Sequence, residues 1–265
     1  MQRRFEGKSV LIVGASSGIG ADTARLLVRE GARVILVARR LEMLQEVANS
    51  CPEGGDGWPK VLQGDVASID SMKAVEQQVR DLVGTPDYVI ANAAIGVTQA
   101  GERITADMFR KTFEINVVGV GHTLLMFHKE MVQRGSGHLI AVSSLASMRG
   151  LPGSGAYSAS KAAVSTFMES LRIDLRGTGV VVTTVQPGFV ATPMTEKNRF
   201  KMPWLMSSEK AAEHMARAML KRKSSVYSFP WQTAALMRVT TWIPACIYEP
   251  MMAKGNRRNG KRNSR

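Results

Sequence analysis

Residues 8–30, KSVLIVGASSGIGADTARLLVRE, decide how the rest of the chain is read. A short apolar, β-branched run from Ser9 to Val13 enters a loop of glycine and serine and leaves it in a stretch with helical periodicity. A brief apolar run bounded by turn residues reads as a strand buried on both faces, the kind found in parallel sheets. The loop holds Gly14, Ser16, Ser17, Gly18, Ile19 and Gly20. Glycines let a backbone approach a ligand closely. The start of the following helix offers free N–H groups and the positive end of its dipole, which suit a pyrophosphate. The spacing is G-x3-G-x-G, and a glycine loop of this kind also serves ordinary strand–helix turns.

Working outward, the same alternation repeats. Strand-like runs lie at 32–38, 60–66, 86–94, 138–144, 180–188 and 225–230. Helical stretches are predicted at 39–49, 68–83, 105–133, 155–176 and 208–221, with a turn-rich loop over 51–58. Apolar strands separated by helices predict an α/β fold: a doubly wound, Rossmann-type parallel sheet of seven strands with helices on both faces. No repeat and no linker interrupts the chain, so residues 1–230 read as one domain. An apolar helical appendage is expected at 231–253, and a basic tail without fixed structure at 254–265.

The chain has 265 residues, 45% of them hydrophobic and 22% charged, which is a globular balance. A domain of this size needs no disulfide or metal staple. The two cysteines, Cys51 and Cys246, exclude a disulfide scaffold and argue for free thiols, with no metal site. The amino-terminal apolar run leads straight into the glycine loop, unlike a secretory leader. No apolar run is long enough to span a bilayer. A cytoplasmic protein is expected. The formal charge is +13, and residues 254–265 hold six basic and no acidic side chains. That tail lacks interleaved aromatic residues, so no specific nucleic-acid binding is expected.

Candidate chemistry sits at the ends of the strands. Where a NAD site usually carries an acidic residue for the ribose, the second strand runs into Arg39 and Arg40. An arginine pairs well with a 2′-phosphate, which argues for NADP(H). Two solvated charges at a helix start are the plain alternative, although the helix dipole disfavours cations there. Tyr157 and Lys161 stand four residues apart on a helix and share a face. A neighbouring ammonium is expected to lower the phenol pKa and fit the tyrosine for acid–base work. Ser143 and Ser144 end the fifth strand, where ligands bind in open α/β sheets. Asn116 interrupts a helical stretch to which asparagine is poorly suited.

Together these residues resemble the short-chain dehydrogenase/reductase family over roughly residues 5–230. GASSGIG is similar to that family's cofactor loop. Asn92-Ala93-Ala94 resembles its Asn-Ala-Gly segment, with Ala94 in place of the glycine. Asp65-Val66 resembles the pair that contacts adenine. Pro187-Gly188 with Val190 and Thr192 resembles the segment that contacts nicotinamide. Asn116, Ser144, Tyr157 and Lys161 fall on the positions of the catalytic tetrad. The resemblance implies hydride transfer between NADP(H) and a carbonyl or alcohol carbon, with Tyr157 as acid or base. Lys161 would lower its pKa, Ser144 would hold the substrate oxygen and Asn116 a water. It also implies a homo-oligomer, dimer or tetramer, paired through long helices. An isomerase or dehydratase on the same fold, or a catalytically idle dinucleotide-binding sensor or scaffold, are the competing readings.

Residues 189–207 are expected to form the substrate loop. Phe189, Met194, Phe200, Met202, Trp204, Leu205 and Met206 suggest an apolar pocket for a small, lipid-like carbonyl or alcohol. The same side chains would equally serve to cover the core. Residues 231–265 combine apolar positions with the basic tail, and Pro244 and Pro250 are expected to break their helices. Arg238 and Glu249 argue against spanning a membrane; peripheral contact with an anionic surface fits better.

Overall fold

The structure, a computed structural model, describes residues 3–52, 57–96, 103–196, 198, 201–221 and 223–262, with side chains as far as residue 253. Seven strands form one parallel sheet: β1 Ser9–Val13, β2 Arg33–Ala38, β3 Lys60–Gln63, β4 Tyr88–Ala91, β5 Gly137–Val142, β6 Val180–Pro187 and β7 Ser225–Phe229. Their order is β3-β2-β1-β4-β5-β6-β7. The expected doubly wound fold is therefore present.

The sheet is doubly wound because its strands are apolar on both faces. In β1 all five residues are buried. Val10 and Ile12 join one apolar cluster and Leu11 and Val13 the other, as the two-residue period of a strand requires. The first cluster is completed by α1 (Gly18–Arg29), α2 (Leu41–Asn49) and α8 (Ser208–Met219). On the other face lie α3 (Ile69–Val83), α5 (Gly119–Leu124), α6 (His128–Arg134) and α7 (Gly155–Asp174). Side-chain caps start several helices: Ser68 accepts from Ser71 N at 3.2 Å and Thr105 from Met108 N at 3.2 Å.

Two expectations about helices are corrected. The stretch 105–133 is not one helix. It comprises α4 (Ala106–Phe113), a π-helical segment Glu114–Val118, α5 and, after a break near Phe127, α6. The widened turn follows from Asn116, whose side chain is drawn off the helix to bond the backbone of Ile95. At Gly119 a Cβ would lie 2.8 Å from Val66, so the helix sits hard against the loop after β3.

The appendage folds as α9 (Trp231–Trp242) and α10 (Ala245–Arg262). Pro244 separates them, as expected, but Pro250 lies inside α10. A proline there removes one bond of the ladder. The turn that contains it is anchored from outside by Tyr248, whose hydroxyl donates to Gly150 O at 2.8 Å. The helical backbone thus continues into the segment expected to lack fixed structure.

Candidate active site

All strands point their carboxyl ends to one edge of the sheet. A cleft of about 660 Å³ opens there, and the sequence-predicted residues meet in it. Gly14, Ser16, Ser17, Gly18, Ile19, Arg39, Arg40, Asp65, Val66, Asn92, Ala93, Ser144, Tyr157, Lys161, Pro187, Gly188, Val190 and Thr192 all line it. Gly20 and Asn116 stand behind the wall.

One end is built for a dinucleotide phosphate. Gly14 has φ +93°, and a Cβ there would collide with the backbone N of Ala93. Gly18 has φ +56°, and a Cβ would come within 2.9 Å of Thr192 Cγ2. Asn92 ties the loop down by donating from Nδ2 to Gly14 O at 2.7 Å. A Cβ on Gly20 would strike that same carbonyl, so its absence permits the clasp. Ser17 precedes α1 and makes no side-chain cap, which leaves the first N–H groups of α1 to the cleft. The residues present fit a pyrophosphate.

The two arginines have different settings. Arg40 Nη2 donates to Ser16 Oγ at 3.2 Å and so reaches across the glycine loop. Arg39 is 65% exposed, with Nη1 3.9 Å from Asp65 Oδ2. Beside them, Asp65 N donates to Ser71 Oγ at 3.0 Å, and Val66 O bonds His122 Nδ1 at 2.8 Å, which fixes this wall of the cleft. Across the cleft, Gly188 N donates to Phe229 O at 2.7 Å and Thr192 N to Thr195 Oγ1 at 3.0 Å.

The other end holds the reactive side chains. Ser144 follows β5 and accepts from Ala146 N at 3.1 Å, which starts a single 3₁₀ turn, Leu145–Ser147. Its hydroxyl is the neighbour that acts on the Tyr157 phenol. One turn along α7, Lys161 is only 2% exposed; its Nζ donates to Val142 O at 2.8 Å and lies 5.8 Å from the Tyr157 ring centroid. Behind it, Ser143 Oγ donates to Lys161 O at 2.8 Å and shares a bond with Ser165 Oγ.

Burial sets the electrostatics. It pushes the Tyr157 phenol above its ordinary value, with the Ser144 hydroxyl pulling the other way. It also lowers Lys161 to about 8. In the protein alone, burial outweighs the expected lowering of the phenol by Lys161. The ammonium is committed to a backbone carbonyl and is itself desolvated.

Asn116 is completely buried. It accepts from Ile95 N at 2.8 Å and donates to Ile95 O at 3.0 Å and to Ser160 Oγ at 3.0 Å. Its side chain therefore clamps the strand-β4 loop to α7. Asn116→Ala is expected to cost about 2–4 kcal/mol in denaturant unfolding, because it leaves both polar groups of Ile95 unpaired.

The substrate loop departs from expectation. Met194 lines the cleft, but Trp204 and Leu205 are exposed. Met206 packs against the core and pairs with the Val190 segment, with Ala191 N donating to Met206 O at 2.8 Å. Phe200 lies outside the described residues. Apolar lining of the cleft comes also from Ile95, Ile115 and Pro193, with Met194. Sequence reasoning missed Ile95, Gly96, Ile115 and Pro193, none of which carries a motif. Ser143, singled out with Ser144 at the strand end, does line the cleft.

A nucleotide cleft, a buried lysine and a serine–tyrosine pair on a doubly wound sheet define a class of dinucleotide-dependent oxidoreductase. The chain belongs to the short-chain dehydrogenase/reductase family: residues 8–203 match the family model described as short chain dehydrogenase. It is 42% identical to an uncharacterized oxidoreductase of Myxococcus xanthus, over 91% of this chain and 95% of that one. It is 32% identical to the ketoacyl reductase HetN of a Nostoc species, covering 83% and 77% of the two chains. Among solved structures it resembles levodione reductase, with a TM-score of 0.80 and 25% identity over 88% of this chain and all of that one. The family uses nicotinamide cofactors and acts on small carbonyl and alcohol compounds.

Proposed function

We propose that this protein is an NADP(H)-dependent oxidoreductase that interconverts an apolar carbonyl compound and its alcohol. The observation that carries the reading is one cleft with Arg40 across the glycine loop at one end and the Ser144–Tyr157 pair at the other. The cofactor, when bound, supplies the hydride for the carbonyl carbon. Everything else falls to the chain. The glycine loop and the uncapped start of α1 hold the pyrophosphate, and Arg40 takes the 2′-phosphate. Asp65 and Val66 flank the adenine end. Asn92, Ala93, Pro187, Gly188, Val190 and Thr192 shape the nicotinamide end.

In the reductive direction the substrate oxygen sits between Ser144 and Tyr157. As the carbon accepts hydride, the oxygen gains negative charge, and both hydroxyls stabilise it. The Tyr157 proton moves to that oxygen and leaves an alcohol. A phenol held above its ordinary value remains protonated through the neutral range and suits this direction. Lys161, still charged below about pH 8, stabilises the phenolate left behind. The expected result is a reductive kcat/KM that falls as pH rises through about 8, where Lys161 loses its proton. A profile flat through that range would remove Lys161 from the role.

Apolar lining by Ile95, Ile115 and Met194 supports an apolar substrate, and the names of the ketoacyl and levodione reductases support reduction of a carbonyl. Exposed Phe109, Val118 and Leu125, on and around α4 and α5, support pairing of copies into a homodimer or tetramer. The free thiols of Cys51 and Cys246 support a reducing, cytoplasmic setting.

Titration with NADPH and NADH, read by cofactor fluorescence, tests the cofactor assignment. Tighter NADPH binding is expected, and Arg40→Ala should weaken it by roughly 10–100-fold while leaving NADH nearly unchanged. Equal affinities for the two cofactors would remove the arginine from the 2′-phosphate. Binding of neither would favour an idle scaffold.

A further inference from the structure

We propose that α9 and α10 form a docking surface for an anionic lipid bilayer. Helix α9 is turned inside out. Its buried residues are the small Thr233 and Ala234, while Trp231 (73% exposed), Leu236, Val239 and Trp242 (88% exposed) face solvent. Among the described side chains of α10, Tyr248 is the one large buried residue, and Ile247 and Met251 are exposed. A soluble helix normally buries such side chains, and a contiguous exposed group of them marks a contact surface. Two outward tryptophans are the side chains best suited to the boundary between headgroups and acyl chains.

The charge pattern selects the occupant. Directly after this apolar stretch the sequence runs through Lys254, Arg257, Arg258, Lys261, Arg262 and Arg265 with no acidic residue. Their spacing of three and four residues repeats the helical period, and the backbone of α10 continues through 262. A second copy docked through the same face would bring two such tails together on a chain already at +13. An anionic membrane is complementary to both halves, with apolar side chains for the acyl boundary and cations for the headgroups.

The surface is not loosely hung. Arg149 Nη2 donates to Ile243 O at 3.0 Å, and its guanidinium carbon lies 4.4 Å from the Tyr248 ring centroid. Tyr248 donates to Gly150 O at 2.8 Å. Both anchors fall in the segment between Ser144 and Tyr157, so the docking face is fastened to the substrate side of the cleft. The inference rests on exposure, charge and these anchors, and it stands or falls separately from the catalytic reading.

Full-length protein would be sedimented with vesicles of phosphatidylglycerol and phosphatidylcholine, and with phosphatidylcholine alone. Preferential binding to the anionic vesicles is expected, with tryptophan emission quenched by brominated acyl chains. Leu236→Glu and Trp242→Glu should each lower the partition constant by roughly ten-fold or more. Because both positions are exposed, thermal unfolding should be unchanged, and Trp242→Ala provides a milder check. Three results would overturn the proposal. One is no binding to either vesicle. Another is binding that salt abolishes but Trp242→Glu leaves intact, which is adsorption of the tail alone. The third is a concentration-dependent dimer in sedimentation equilibrium, lost in Trp242→Glu and indifferent to vesicles, which would assign the face to a second copy.

Discussion

Tyr157→Phe is expected to reduce turnover by roughly 10²–10⁴-fold while leaving dinucleotide affinity unchanged. The substitution removes one oxygen and keeps the ring in its packing beside Lys161 and Ser144. It therefore isolates proton donation from everything else the cleft does. Ser144→Ala is a less clean probe, because Ser144 also caps the turn through Ala146 N at 3.1 Å and its loss costs about 1 kcal/mol of local order. The measurement is single-turnover oxidation of bound NADPH by a carbonyl substrate of the wild-type enzyme, alongside the fluorescence titration. Near-normal turnover in Tyr157→Phe would remove the tyrosine from the chemistry.

Lys161→Met should abolish turnover and yet leave the protein at least as stable at neutral pH. Among the described residues no carboxylate pairs with the buried Lys161, and its pKa falls from 10.5 to about 8 in the folded state. Below about pH 8 both states bind the proton, and the folded state carries the cost of a desolvated ammonium. Between about 8 and 10.5 the unfolded chain binds more protons, so stability rises with pH across that window. Replacing the lysine removes this cost, on the order of 3 kcal/mol. It also unpairs Val142 O, which returns about 1–3 kcal/mol. Denaturant unfolding on both sides of the window reads the difference. The wild type should gain stability with pH relative to Lys161→Met. The opposite slope would mean that the ammonium stabilises the fold.

The fold was readable because β1 and β2 are continuous apolar runs between a glycine loop and amphipathic helices. That pattern admits few arrangements other than a covered parallel sheet. The cleft was readable as far as its residues lie at strand ends, as Ser144 and Asn92 do. Its apolar walls were not, because Ile95 and Ile115 look like any core residues and enter the site only through the Asn116 clamp. The π-helical segment was equally hidden. Helical periodicity carries no information about a side chain that bonds to a loop 21 residues earlier in the chain. The substrate loop misled for a related reason: Met206 has the composition of a pocket residue, but its backbone pairing with the Val190 segment directs it to the core.

Placing every functional strand end on one edge has a practical corollary for engineering. The opposite edge carries the short turns that enter β4, β5 and β6, and at Gly84 and Gly177, chain neighbours aside, no described atom lies within 4 Å of where a Cβ would stand. These turns offer insertion points for a fluorescent reporter or an affinity handle, since a graft there leaves the apolar faces of the sheet covered and lies a full strand length from the cleft. A sensor domain spliced at Gly84 would thus ride on the enzyme as cargo, on the side away from both substrate and cofactor.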